Sequence, residues 1–252
     1  SRYTVQIKKQ VDPALYQTID TANQSLTAWL ATCPGEAEVK IGFDSWSVTC
    51  EGQKKLPALL GEADVVWHPV SAHPVAAVLA DRPASPPTDI FTVDELYSGF
   101  SAATKIKKAT DELKDSQLDL RFISAPDVMM WLTNLRGHDL CFTPVHLCFG
   151  ILSATGQLTF VTDNSQIAEQ GYACVSWTEL ETYLLSLKGQ TIAYDPANLP
   201  VAVHHYLRQA GLNLSAEPDP LVTRKACKNM AEVDGFRQAH LLDGVALSRF
   251  FY

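Results

Sequence analysis

The chain has 252 residues and a formal net charge of −8, with 46% hydrophobic and 19% charged residues. That is a globular balance, long enough for two modest domains or one large one. No long basic run offsets the acidity, which excludes nucleic acid as an expected partner; no apolar run is long enough to cross a bilayer, which excludes a membrane span.

The first segment, 1–82, alternates helices and strands. "YTVQIKKQ" reads as a short helix, "VKIGFD" as a strand, and "SVTCEGQKKLPALLG" as a helix ended by Gly61. "DVVWHPV" returns as a strand and "HPVAAVLADR" as a short helix. Such alternation predicts an α/β layer with parallel pairing. The proline-rich "DRPASPPTD" follows, and 83–88 is read from it as a linker.

The second segment, 89–223, reads as a full α/β domain. "SAATKIKKATDELKDSQ" predicts an amphipathic helix capped by Ser101, on which "KIKK" at 105–108 is a solvated face. "LDLRFIS" is a strand, and "APDVMMWLTNLRG" is a helix stopped by Gly137. "HLCFGILSATGQLTFVTD" predicts a β-hairpin. After it come a strand at "YACVSW", a helix at "TELETYLLSLKG" capped by Thr178, a strand at "TIAYD", and a helix at "ANLPVAVHHYLRQAG" closed by Gly211. The last segment, 224–252, predicts one helix. Val233, Phe236, Leu241 and Val245 give it an apolar stripe, and Leu247, Phe250 and Phe251 widen that stripe beyond one face.

Six cysteines form no C-x-x-C pair and have no histidine at zinc-finger spacing. Their mostly apolar contexts, as at Cys148 and Cys174, predict buried free thiols in a reducing cytoplasm. No P-loop, dinucleotide glycine pattern, H-E-x-x-H or nucleophile elbow occurs. His204 and His205 point about a third of a turn apart on their helix and do not share an ion easily. His240 and Asp243, one turn apart, supply at most two ligands and read as a helix-surface hydrogen bond or salt bridge. "RGHD" at 136–139 has two readings: a helix cap with a charge pair, or a rim contacting a ligand or neighbouring domain.

Four stretches carry a family resemblance. "SRYTVQIKKQVD" resembles G/S-R-Y-x-L-Q-A-x-x-Q-x-D, and "ADRPASPP" resembles x-D-R-P-x-x-P-x-x-P. "PDVMMWLTNLRGHDL" resembles D-x-I-A-W-L-x-N-L-R-G-x-D-I, followed by "TPV" where N-P-V is usual. "KACKNMAEVDGFRQAHLLDGVAL" resembles K-A-x-K-N-x-x-E-x-x-G-x-R-x-A-H-x-x-D-G-x-A-L. The order and spacing are those of the three-domain Xaa-Pro aminopeptidases (aminopeptidase P) of the creatinase/prolidase family. Thr143, Leu79, Met129 and Met130 depart from the usual residues, as does "HLCFG".

The resemblance implies an α/β fold of creatinase/prolidase N-terminal-type domains, with a mixed sheet and flanking helices and without the pita-bread catalytic domain. On this reading 1–82 is the rear of a first domain, 89–223 a complete second one, and 224–252 the entry helix of a truncated third. The missing domain would supply two Asp, one His and two Glu to a dinuclear metal centre, usually manganese, so no cofactor is expected in the chain itself. The parent would release the N-terminal residue from Xaa-Pro peptides in the cytoplasm. This chain, inactive alone, would serve as scaffold, substrate-side wall and homodimer contact. Asn134, Arg136, His138 and Asp139 are the expected substrate-binding or domain-interface residues. Its implied partners are proline-containing peptides, its own catalytic domain and a second copy. A non-catalytic peptide- or protein-binding module remains the alternative, with a creatinase-like activity behind it.

Overall fold

The computed structural model of the chain describes residues 2–30, 32, 39–55, 65–70, 74–79, 81 and 88–252. The first segment contains α1 (Arg2–Gln10), α2 (Leu26–Leu30), β1 (Val39–Asp44), α3 (Cys50–Lys55), β2 (Val65–Val70) and α4 (Pro74–Val78). β1 and β2 pair in parallel, from Val39 opposite Val65 to Asp44 opposite Val70, as the alternation predicts. The helix expected from Ser47 starts at Cys50, and its expected stop at Gly61 lies outside the described residues, as do 82–87 of the proline-rich stretch.

Next in order are β3 (Phe91–Thr92), α5 (Glu95–Ser98), α6 (Ala102–Asp115), β4 (Leu120–Ile123), α7 (Pro126–Thr133), β5 (Leu135–Arg136), β6 (Phe149–Ser153) and β7 (Leu158–Val161). Then come α8 (Gln166–Glu169), β8 (Ala173–Val175), α9 (Leu180–Leu185), β9 (Thr191–Tyr194), α10 (Val201–Gln209), β10 (Asn213–Ala216), α11 (Pro220–Ala226) and α12 (Met230–Phe251). Six strands form one mixed sheet in the order β10-β9-β4-β6-β7-β8. β10, β9 and β4 run parallel, β4 and β6 antiparallel, β6 and β7 form the expected hairpin, and β7 and β8 are parallel.

Both faces of this sheet are covered. Strand side chains alternate, so Leu120 and Phe122 pack with Ile151, Val161 and the α9 and α10 residues Leu184 and Leu207. Ile123, Leu152 and Phe160 pack on the other face against Val128, Met129 and Leu132 of α7. All four residues of β4 and of β7 are buried, as expected for strands closed in on both sides. The first segment is joined to this unit through backbone. Cys50 N–H donates to Leu199 O and Val201 N–H to Val48 O, both at 2.9 Å. Glu51 N–H donates to Pro196 O at 2.8 Å and Ala202 N–H to Ser45 O at 2.9 Å.

Ser101 caps α6 as expected, accepting from the Thr104 N–H at 3.1 Å, and Gly211 closes α10 at φ 73°. Four expectations are corrected. Asn134, not Gly137, takes the left-handed position after α7, at φ 58°. An Asn side chain hydrogen-bonds locally and tolerates this conformation. Thr178 does not cap α9; its hydroxyl meets Ser176 Oγ at 3.1 Å, and Glu179 stands at the N-cap with its side chain turned back to accept from Ser176 rather than from the helix. The C-terminal segment is two helices, because a capping box restarts the helix at Asn229. The Asn229 side chain accepts from Glu232 N–H at 3.0 Å, and Glu232 Oε2 accepts from Asn229 N–H at 2.9 Å. Of the cysteines, Cys50 and Cys148 are buried free thiols, but Cys141, Cys174 and Cys227 are exposed. Cys33 lies outside the described residues.

Gly150 shows how tightly β6 meets α7. A Cβ there would lie 2.2 Å from Met129 Sδ, and Met129 is fully buried. Gly150→Ala is expected to destabilise the fold by about 1–3 kcal/mol in denaturant titration. The same substitution made on a Met129→Ala background should cost clearly less, because the space is then vacated.

Candidate functional site

The turn after α7 is where elements from three parts of the domain meet. Asn134 is buried. Its Nδ2 donates to Phe100 O at 2.9 Å, and its own carbonyl accepts from Val93 N–H at 2.7 Å. Its Oδ1 accepts from Lys105 Nζ, which also donates to Trp131 O. Lys105 therefore leaves the solvated face expected of "KIKK"; it is 5% exposed, and its ammonium lies 4.9 Å from the centre of the Trp131 ring. Lys107, in the same run, stays outside in an ion pair with Asp111 at 2.6 Å. Burial, then the neighbouring Arg136, push the Lys105 pKa down to about 8, while Glu232 opposes them.

Arg136 lies in β5, which pairs antiparallel with β3 through Phe91. Its Nη1 donates to Met130 O and Leu135 O, both at 2.8 Å. It thus satisfies a carbonyl left open at the α7 C-terminus, where a cation is favoured. Burial lowers its pKa, and Glu232 opposes the shift.

The other two expected residues face elsewhere. His138 is exposed and stacks on Phe91 with 5.1 Å between ring centres. Asp139 pairs with His146, not with Arg136: Oδ2 lies 3.0 Å from His146 Nδ1 and accepts from Leu147 N–H at 2.8 Å. Oδ1 accepts from Thr88 Oγ1. His146 Nε2 meets Thr162 Oγ1 at 2.7 Å, and both residues are buried. Burial raises the Asp139 pKa, but the bonds from Thr88 and Leu147 and the nearby His146 outweigh it, so the pKa ends below the usual value. This network draws the 145–147 segment across Gly137. A Cβ on Gly137 would lie 2.9 Å from His146 Cβ and 3.1 Å from its backbone, so the glycine serves close approach rather than helix termination.

Asn134 and Arg136 line a cavity of about 500 Å3, whereas His138 and Asp139 do not. One wall comes from α7, β5 and Pro144–Val145, and the opposite wall from Lys228, Glu232 and Phe236. Asn229 ties the start of α12 to α5, which adds Tyr97 and Ser98 to the lining, by donating from Nδ2 to Ser98 O at 2.9 Å. Sequence reading missed Lys105 and Glu232. Lys105 sits four and eight positions before the buried Ala109 and Leu113, on the inner stripe of α6, and Glu232 completes the N-x-x-E capping pattern.

Among the described residues no three His, Cys, Asp or Glu side chains come together as a group that could hold a metal ion. His240 Nδ1–H donates to Phe236 O at 2.8 Å, a helix-surface contact. Among the same residues no helix is long and apolar enough to cross a membrane.

With this architecture in view, the class is settled by comparison. A family described as "Creatinase/Prolidase N-terminal domain" matches residues 81–232, and the chain belongs to that family. Its relatives include a probable Xaa-Pro aminopeptidase P of Coprinopsis cinerea, 26% identical over 99% of this chain and 44% of that protein. Xaa-Pro aminopeptidase 1 of Dictyostelium discoideum is 30% identical over 67% of this chain and 28% of its own length. The fold matches, at a TM-score of 0.79 and 20% identity, an X-prolyl aminopeptidase of Caenorhabditis elegans described as a cytosolic enzyme with a di-nuclear active site. That match covers 100% of this chain and 43% of the other. The chain thus spans less than half the length of these relatives. The resemblance read from the four motifs, and the mixed-sheet α/β fold it implied, are both borne out.

Three substitutions test the turn. Asn134→Ala is expected to cost about 2–4 kcal/mol in urea titration, from the left-handed backbone and the lost acceptor for a buried ammonium. Asn134→Gly restores the backbone freedom and should recover part of that loss. The depressed Asp139 pKa means that its charge stabilises the fold above the unfolded value of about 4 and ceases to do so as pH falls through the folded one. Asp139→Asn should therefore lower Tm at neutral pH, with the gap to the parent protein closing below about pH 4.

Proposed function

We propose that the chain is the non-catalytic N-terminal and middle region of a Xaa-Pro aminopeptidase, an enzyme that removes the residue preceding proline. The observation that carries this reading is the alignment of 99% of the chain with a probable Xaa-Pro aminopeptidase P. The two divalent metals of such an enzyme, manganese by family resemblance, would be held outside this chain. The chain would supply scaffold, a substrate-side wall and homodimer contacts in a cytosolic protein. The exposed Leu241, Leu242, Phe250 and Phe251 of α12 support a covering catalytic domain.

Within this reading the Arg136 turn faces the joint between the second domain and the catalytic one, and Arg136 positions substrate or locks the two together. Its place in the cavity opposite α12 supports that role. Domain divisions at 1–82, 89–223 and 224–252 belong to the same proposal. Release of the N-terminal residue from an Xaa-Pro peptide should require sequence beyond the described chain. In the longer enzyme, Arg136→Lys keeps the charge but loses the fork of donors. It should lower kcat/KM by about tenfold, roughly 1.4 kcal/mol, with Tm little changed. A fall in Tm with unchanged kcat/KM per folded molecule would make Arg136 a structural residue.

A further inference from the structure

We propose that the cavity between the α7–β5 turn and α12 binds a carboxylate carried on an apolar body, gripped by the Arg136 guanidinium and the Lys105 ammonium. Arg136 uses Nη1 alone to cap α7. Among the described residues its Nε and Nη2 have no partner, although Arg136 lines the cavity. Those two donors form the edge of the fork that meets a carboxylate with two parallel bonds. Lys105 donates two of its three hydrogens, to Trp131 O and Asn134 Oδ1, and the third is unassigned among the described residues. Helix capping accounts for the occupied donors and leaves these others unexplained.

The charge around the cavity is also unbalanced. Four cations line it: Lys105, Arg136, Lys225 and Lys228. Of its two carboxylates, Asp127 is paired with Lys225. Glu232 accepts from the Asn229 N–H and makes no ion pair among the described residues. The buried Lys105 and the half-buried Arg136 therefore lack a contact anion among the described residues. Burial first, and then Arg136, lower the Lys105 pKa, and the more distant Glu232 only partly offsets them. The rest of the lining suits a hydrocarbon body: Val93, Met130, Trp131, Pro144, Val145 and Phe236. A volume of about 500 Å3 accommodates a short peptide end or a small aromatic acid.

The inference deepens the assignment of Arg136 as a ligand-facing residue and rests on it. Its test reads binding by this chain, whereas the assignment above is read by turnover of a longer enzyme, so either can fail separately. Isothermal titration of the 252-residue chain would use two probes, 3-phenylpropionate and N-acetyl-Ala-Phe, each beside its amide. At about pH 6 Lys105 is charged, and at least one acid should bind about tenfold or more tightly than its amide. Binding of the peptide alone points to the carboxyl ends of peptides, and binding of phenylpropionate to free acids; both support the site. Arg136→Lys should weaken the acid about tenfold. Glu232→Gln keeps the capping box and removes the like charge across the cavity, so it should tighten binding. Tyr97 completes the titratable lining, and Lys105 is the group whose pKa is set near 8, so affinity should fall as pH rises from about 6 to about 9.5. No binding of either acid at about 10 mM overturns the proposal. So does equal binding of acid and amide, or binding unmoved by both variants.

Discussion

A buried ammonium must be given acceptors, and the carbonyls at the end of a helix must be given donors. Lys105 and α7 meet both needs at once. An unpaired charge of this kind costs several kcal/mol to bury, while the last carbonyls of a helix have no partner within it. Lys105 reaches from the inner stripe of α6 to Trp131 O and to the side chain of Asn134. Asn134 can accept there because its backbone is left-handed, and the same residue binds Phe100 O and Val93 N–H. One buried cation thus fixes the angle of α6 to α7, the turn that follows, and the edge pair β3–β5. Arg136 repeats the arrangement one strand residue later on Met130 O.

A second polar set fixes the other side of the turn. His146 stands between Asp139 and Thr162, and Asp139 also holds Thr88 and Leu147 N–H. Asn164 adds a bond from Nδ2 to Thr88 O at 2.9 Å. The segment entering the domain at Thr88 and the one leading into β6 are therefore bound to one carboxylate, and the end of β7 joins them through His146. The cavity next to this set keeps its shape through hydrogen-bonded backbone on one wall and through the Asn229 cap on the other. Such preorganised donors bind with less ordering cost than mobile ones.

Elements whose signals are local were legible in the sequence. The Ser101 cap, the β6–β7 hairpin and the Gly211 stop each rest on a few neighbouring residues, and the parallel β1–β2 pair follows from the alternation of helices and strands. The four motifs carried the family as well. What escaped depends on residues distant in sequence. Gly137 looks like a helix stop until His146 is seen to pass beside it, and nothing local predicts that crossing. "KIKK" shows its charge in the sequence, but the inward direction of Lys105 appears only from its spacing to Ala109 and Leu113. Of the four residues expected at the site, Asn134 and Arg136 meet at the cavity. His138 and Asp139, adjacent in sequence, diverge because one stacks on β3 and the other turns to His146.

The join between residues 45–51 and 196–202 is made by main-chain groups, with Thr49 and Pro200 bridged antiparallel at its middle. Side-chain packing adds to it, since Cys50 and Leu199 share one buried cluster and Trp46 meets Trp177 and Tyr206 edge-on. The exposed side chains of both stretches, by contrast, can change without removing a backbone donor or acceptor. The seam is intolerant of length. Inserting or deleting one residue on either side would shift the four bonds out of register together. Along this seam the exposed positions are free in composition, and the constraint lies in spacing.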